Sequence, residues 1–116
     1  MKHKDLFRLG HILECISKIE YIANTLHSYD NFEKQWLEQD AIIRNLITIG
    51  EASVNISNNL KEQYPDVVWR EMRGMRNFIT HEYFGVELNE IWNTIINDIP
   101  ILKTQIQHIV ISLEQG

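Results

Sequence analysis

The stretch ELNEIWNTIINDIPILKTQIQHIVISL, residues 87–113, places Leu88, Ile91, Ile95, Ile99, Leu102, Ile106, Ile109 and Leu113 three or four positions apart. A helix turns once in about 3.6 residues, so these side chains fall on one stripe, whereas a strand would show alternation at every second position. The stretch therefore reads as the final helix of the chain, beginning near Glu87. Pro100 lies inside the stripe. It lacks a backbone N–H and crowds the preceding turn, so a kink is expected there.

Working outward, the same spacing recurs at the other end. Leu6, Leu9, Leu13, Ile16, Ile19, Ala23 and Leu26 make one apolar stripe on a long first helix. HSYDN (27–31) breaks that pattern, and Asp30 followed by Glu33 resembles a capping box for a second helix. That helix runs through QDAIIRNLITIGEASVNISNNL (39–60), with Ile42, Ile43, Leu46, Ile49, Val54, Ile56 and Leu60 directed to the core. Gly50 sits within it, at a cost of about 1 kcal/mol against alanine, and so marks either close helix packing or a local break. KEQYPD (61–66) is a connector in which Pro65 stops the helix and Asp66 stands ready to cap a third, from about Val67 to about Thr80. Gly85 ends the turn that follows. No strand-like alternation of useful length occurs. The expectation is an all-α bundle of about four or five helices with two long outer ones. The first and last stripes approach coiled-coil spacing, so they face either the core of the monomer or a dimer seam.

Bulk properties narrow the function. The 116 residues, 44% hydrophobic and 23% charged, suit one domain, 1–116. No apolar run is long enough for a membrane span, and MKHKDLFRLG lacks the apolar core of a signal peptide, so a cytoplasmic location is expected. Cys15 is the single cysteine, and no spacing of cysteine and histidine suggests zinc; no metal or cofactor is expected. A net charge of −5 argues against a broad basic face that coats nucleic acid. The charge is uneven, however. WREMRGMR (69–76) carries Arg70, Arg73 and Arg76 against Glu71, a local +2 that leaves −7 for the remainder. Arg70 and Arg73 are accordingly assigned to binding an anionic substrate, and Lys2, Lys4 and Arg8 would add to them if the first helix begins nearby.

Beside that window lies RNFITHEYFG (76–85). Arginine offers phosphate a planar, permanently charged fork, histidine exchanges protons near neutral pH, and asparagine orients a hydroxyl or an imidazole. Such a set cleaves a phosphodiester without metal when a ribose 2′-hydroxyl serves as nucleophile. The spacing alone is a weak signal in a chain with five arginines and five histidines. On spacing alone His81 reads more readily as a capping or packing residue, and Tyr83 as a helix-end aromatic. Trp69 and Trp92 read as packing residues. Glu82 beside His81 makes no metal site, because neighbours on a helix point apart.

Several blocks taken together carry more. IIRNLITIGEA (42–52), YPDVVWREMRGMRN (64–77) and MRNFITHEYFGVELNEIWNTIINDIPILK (75–103) resemble the HepT-like branch of the HEPN domains. These are all-α proteins with an R-x4–6-H signature often extended to R-N-x-x-x-H-x-Y, and Arg76, Asn77, His81 and Tyr83 fit it. The resemblance spans about Ile42 to Lys103. It implies the toxin of a two-gene toxin–antitoxin module, a metal-independent endoribonuclease acting on RNA such as tRNA or mRNA. Arg76 would hold the scissile phosphate, His81 would serve as general acid or base, and Asn77 would orient His81 or substrate. The products would carry a 2′,3′-cyclic phosphate and a free 5′-hydroxyl. The cleft would lie between the two copies of a homodimer. Tyr83 would accept AMP from an antitoxin resembling the minimal nucleotidyltransferase MntA. A different reading makes the chain a non-catalytic subunit that binds a nucleotidyltransferase partner, with the motif retained for structure.

Overall fold

The computed structural model describes residues 2–78 and 88–116, all of them in helices or the turns that join them. Helix α1 spans Lys2–Leu26, α2 Tyr29–Lys34, α3 Trp36–Val54, α4 Asn58–Gln63 and α5 Trp69–Gly74, the last continuing into a 3₁₀ turn, Met75–Phe78. After the undescribed residues, α6 spans Leu88–Asn93, a π turn covers Thr94–Asp98, and α7 runs Ile99–Gln115. The all-α expectation holds.

The two outer stripes meet within the monomer. Leu9, Ile12, Ile16 and Ile19 of α1 are fully buried, as are Ile106 and Ile109 of α7 and Ile42, Leu46 and Ile49 of α3. Helix α1 packs along α3 and α7, and α3 packs in turn on α5 and its 3₁₀ turn. The near-coiled-coil spacing therefore serves this chain's own core. Phe32 closes one end of that core, its ring 5.2 Å from that of Trp92. Trp69 packs against it elsewhere and donates its indole N–H to the Tyr64 carbonyl at 2.9 Å.

The second helix differs most from expectation. It is divided into α2, α3 and α4 rather than continuous. Helix α2 is capped by Ser28, whose hydroxyl accepts the Asn31 N–H, so the Asp30–Glu33 capping box does not form. The break at Gln35 is held by Gln39, whose amide donates to the carbonyls of Phe32 and Glu33 and so satisfies the end of α2. Val54 lies at the surface rather than in the core. Asp66 caps nothing: α5 starts after Val68 without a side-chain cap, and the Asp66 carbonyl instead accepts from Gln105 of α7. His27 ends α1 in the left-handed region at φ 70°, its N–H donating to Ala23 as a helix-terminating residue does.

At Pro100 the chain resolves the conflict differently from a simple kink. The proline occupies the first turn of α7, where its missing N–H costs least, and the preceding residues widen into the π turn. The stripe from Leu88 to Leu113 thereby stays in register across the proline, with Ile91, Ile95, Ile99 and Leu102 all buried.

Candidate functional site

Met72 and Met75 are buried, and they fix the inward edge of α5 and its 3₁₀ turn against the core. Arg70, Arg73 and Arg76, spaced by three, lie on the opposite side and are exposed. Residues three apart nearly eclipse one another on a 3₁₀ turn and stay close on an α-helix, so the arginines form a ridge. No ion pair neutralises them among the described residues, where the pairs formed are Lys18–Glu14 and Lys103–Glu20. Guanidinium groups without an ion-pair partner among the described residues have the chemistry to bind an anion.

What holds the ridge in place is Gly50. A Cβ at this position of α3 would stand 2.6 Å from the Arg76 backbone nitrogen and 3.0 Å from the Met72 carbonyl oxygen. Only hydrogen allows the two backbones to approach so closely. Of the two readings offered by the sequence, close packing is the one realised, and the backbone it admits belongs to Arg76. Ser53, buried one turn on, donates its hydroxyl to the Gly50 carbonyl at 2.7 Å, which keeps a polar group satisfied at the contact.

The start of α1 lies close by in the fold. Asp5 is buried; it accepts the Ser57 N–H at 2.9 Å and the Ser57 hydroxyl at 2.7 Å, while the Ser57 oxygen accepts the Leu60 N–H and caps α4. Arg8 donates to the Asn55 carbonyl at the end of α3. Helix α4 then presents Lys61, whose ammonium is held below the ordinary lysine value by burial and, secondarily, by the Arg73 guanidinium, with Asp5 acting in the opposite sense. Lys61 is thus within electrostatic reach of Arg73. It escaped the sequence reading because it lies twelve positions before Arg73 and no periodicity links them.

A groove of about 420 Å³ runs beside the ridge, lined by Val68, Glu71, Gly74, Met75, Thr94, Asp98, Ile101 and Leu102. Its two carboxylates, Glu71 and Asp98, disfavour an anionic ligand there, whereas the exposed arginines are a candidate surface for one. Asn77 occupies the position after Arg76 on the 3₁₀ turn. His81 and Tyr83, as well as Gly85, lie outside the described residues. Among the described residues no cluster of histidine, cysteine and carboxylate side chains is built to hold a metal ion, and no helix is long and apolar enough to cross a membrane.

Comparison with known proteins adds an independent line. The family described as ribonuclease HepT-like matches residues 12–109. A protein of Thermococcus cleftensis named a probable ribonuclease HepT is 43% identical over 101 residues, 87% of this chain and 89% of that protein. A provisionally named RNase of Caldanaerobacter subterraneus is 40% identical over 103 residues, covering 88% and 90%. Another provisionally named RNase, from Methanocaldococcus jannaschii, is 35% identical over 103 residues, covering 89% and 84%. No solved structure matches the chain.

Proposed function

The chain belongs to the ribonuclease HepT-like family, and on that premise we propose that it is a metal-independent endoribonuclease, the toxin of a two-gene toxin–antitoxin module. The observation that carries the proposal is the complete R-N-x-x-x-H-x-Y pattern at Arg76, Asn77, His81 and Tyr83, beginning on a turn whose arginine is exposed and seated on Gly50. In the reaction the 2′-hydroxyl oxygen of the substrate attacks the adjacent phosphorus and loses its proton to a base, and the bond to the 5′-oxygen breaks as that oxygen gains a proton. Water and metal are not needed, and the products are a 2′,3′-cyclic phosphate and a 5′-hydroxyl.

Arg76 holds the phosphate and offsets the charge that builds on the phosphorane; Arg73 and Arg70 bind the flanking backbone. His81 moves the proton, a role typically worth about 10²–10⁴-fold, and Asn77 orients it. In a homodimer with facing 3₁₀ turns the cleft holds two histidines, one to take the 2′ proton and one to supply the leaving oxygen. Such pairing also doubles the local positive charge in a chain that is acidic overall. An MntA-like antitoxin silences the site by transferring AMP from ATP to the Tyr83 hydroxyl, with release of pyrophosphate. The added phosphate and nucleoside then stand where RNA would enter.

Cellular RNA incubated with the purified protein in EDTA tests this. Wild type is expected to generate 5′-hydroxyl ends, and Arg76→Ala and His81→Ala, both folded by circular dichroism, to lose at least about 100-fold in rate. If mass spectrometry shows Tyr83 free of AMP and wild type still cuts nothing, the chain is a non-catalytic partner-binding subunit.

A further inference from the structure

The first two turns of α1 carry a surface that the cleavage chemistry does not use. His3, Lys4, Phe7 and Arg8 share one face and line a shallow depression of about 240 Å³. Phe7 is 74% exposed, although Leu9 and Ile12 on the same helix are fully buried. A single exposed aromatic is ordinary, but this one stands among cations. Asp5 is the one acidic residue among the first thirteen, and its carboxylate is buried against Ser57. The start of α1 thus sets Lys2, Lys4 and Arg8 against one buried carboxylate in a chain of net charge −5.

We propose that this patch is a platform for a single-stranded stretch of RNA, with one base stacked on Phe7 and the flanking phosphates met by Lys4, Arg8 and His3. The proposal rests on the ribonuclease reading for its choice of nucleic acid. An aromatic face ringed by basic side chains is the arrangement that binds single strands without regard to sequence. Position supports it too. Asp5 and Arg8 fasten the patch to the junction of α3 and α4, and α4 carries Lys61 into the field of Arg73. Lys61, which feels both Asp5 of α1 and Arg73 of the ridge, is the cation that a strand running from the platform towards Arg76 would meet. A second copy of the chain is a poor occupant, because a two-fold contact through this patch would set like charges against each other.

The test is fluorescence anisotropy with a labelled 2′-O-methyl oligouridylate of about twelve nucleotides, which cannot be cleaved. Phe7→Ala is expected to weaken binding about tenfold or more and Phe7→Trp to retain it; Lys4→Gln should make the logarithmic salt dependence shallower by about 0.7. Phe7 is exposed, so these variants fold. Equal affinity of Phe7→Ala and wild type overturns the platform. So does failure of wild type to bind, a change of oligomeric state by sedimentation without a change in RNA affinity, or Phe7-dependent binding to phosphatidylserine vesicles in place of RNA. Wild-type cleavage of the unmodified oligonucleotide, measured in parallel, separates the two proposals. With Tyr83 shown free of AMP, Phe7-dependent binding without cleavage of either the oligonucleotide or cellular RNA sinks the ribonuclease reading and keeps the platform, whereas cleavage with Phe7 immaterial does the reverse.

Discussion

Cys15 faces the core of α1 and is buried. Burial is the main cause that raises its thiol above the usual cysteine value; Lys18 draws it down and Glu14 pushes it up, both to smaller effect. At neutral pH the side chain is thus a protonated, packed apolar group with no redox role. The native protein should react with a disulfide reagent only as fast as it unfolds; rapid labelling without loss of helix signal would contradict this burial. The sign for pH follows from the same direction. Above about pH 9 the unfolded thiol releases its proton before the folded one, so the unfolded state binds fewer protons and stability falls as pH rises. Cys15→Ala should remove that alkaline loss, at the cost of a small cavity.

At the scale of elements, the decisive contact is that of α3 with the 3₁₀ turn. Gly50→Ala improves helix propensity by about 1 kcal/mol, yet its methyl group meets two backbone atoms that belong to another element and cannot rotate away. Overpacking of this kind typically costs about 1–3 kcal/mol, so the net effect is expected to be a loss. The more telling outcome is functional. Because Arg76 supplies the clashing nitrogen, the variant should lose RNA cleavage by more than its fall in melting temperature explains, when assayed well below that temperature. A variant as active and as stable as wild type would show that the close approach is immaterial. Gly50 was visible in the sequence as an irregularity in a helix, but its partner, 26 residues further on, was not. Periodicity describes a helix alone and says nothing of which neighbour its irregularities admit.

For the molecule as a whole, charge distribution would govern association with RNA on the proposed ribonuclease reading. The chain carries −5 overall, while Arg70, Arg73, Arg76 and Lys61 form one local basic surface. Long-range attraction is therefore weak, and binding depends on close phosphate contacts that release counterions. Four such contacts, at about 0.7 each for a single strand, give a slope of roughly −3 in log affinity against log salt, before any contribution from the start of α1. Titrations across a salt series check this, and a slope near zero would mean that the ridge does not meet the backbone. The groove lined by Glu71 and Asp98 would repel RNA phosphate and so favours the arginine face in that proposal.

The sequence by itself determined the helical class, the two long stripes and the order of the R-N-x-x-x-H-x-Y residues, because each is a matter of local spacing and residue chemistry. It could not decide whether the stripes meet one another or a second copy; packing joined α1 and α7 in one core through Leu9, Ile12, Ile106 and Ile109. It likewise read one helix where the fold has α2, α3 and α4. Propensity changes little through that stretch; the first break is held locally, by the Gln39 amide donating to the Phe32 carbonyl, and the second by the Asp5 carboxylate, which arrives from α1 and accepts from Ser57. Only the tertiary structure brought Gly50 beneath Arg76 and Lys61 beside Arg73. The physical reason is the same for the stripes and for Gly50: each contact depends on two segments distant in sequence competing for the same small volume.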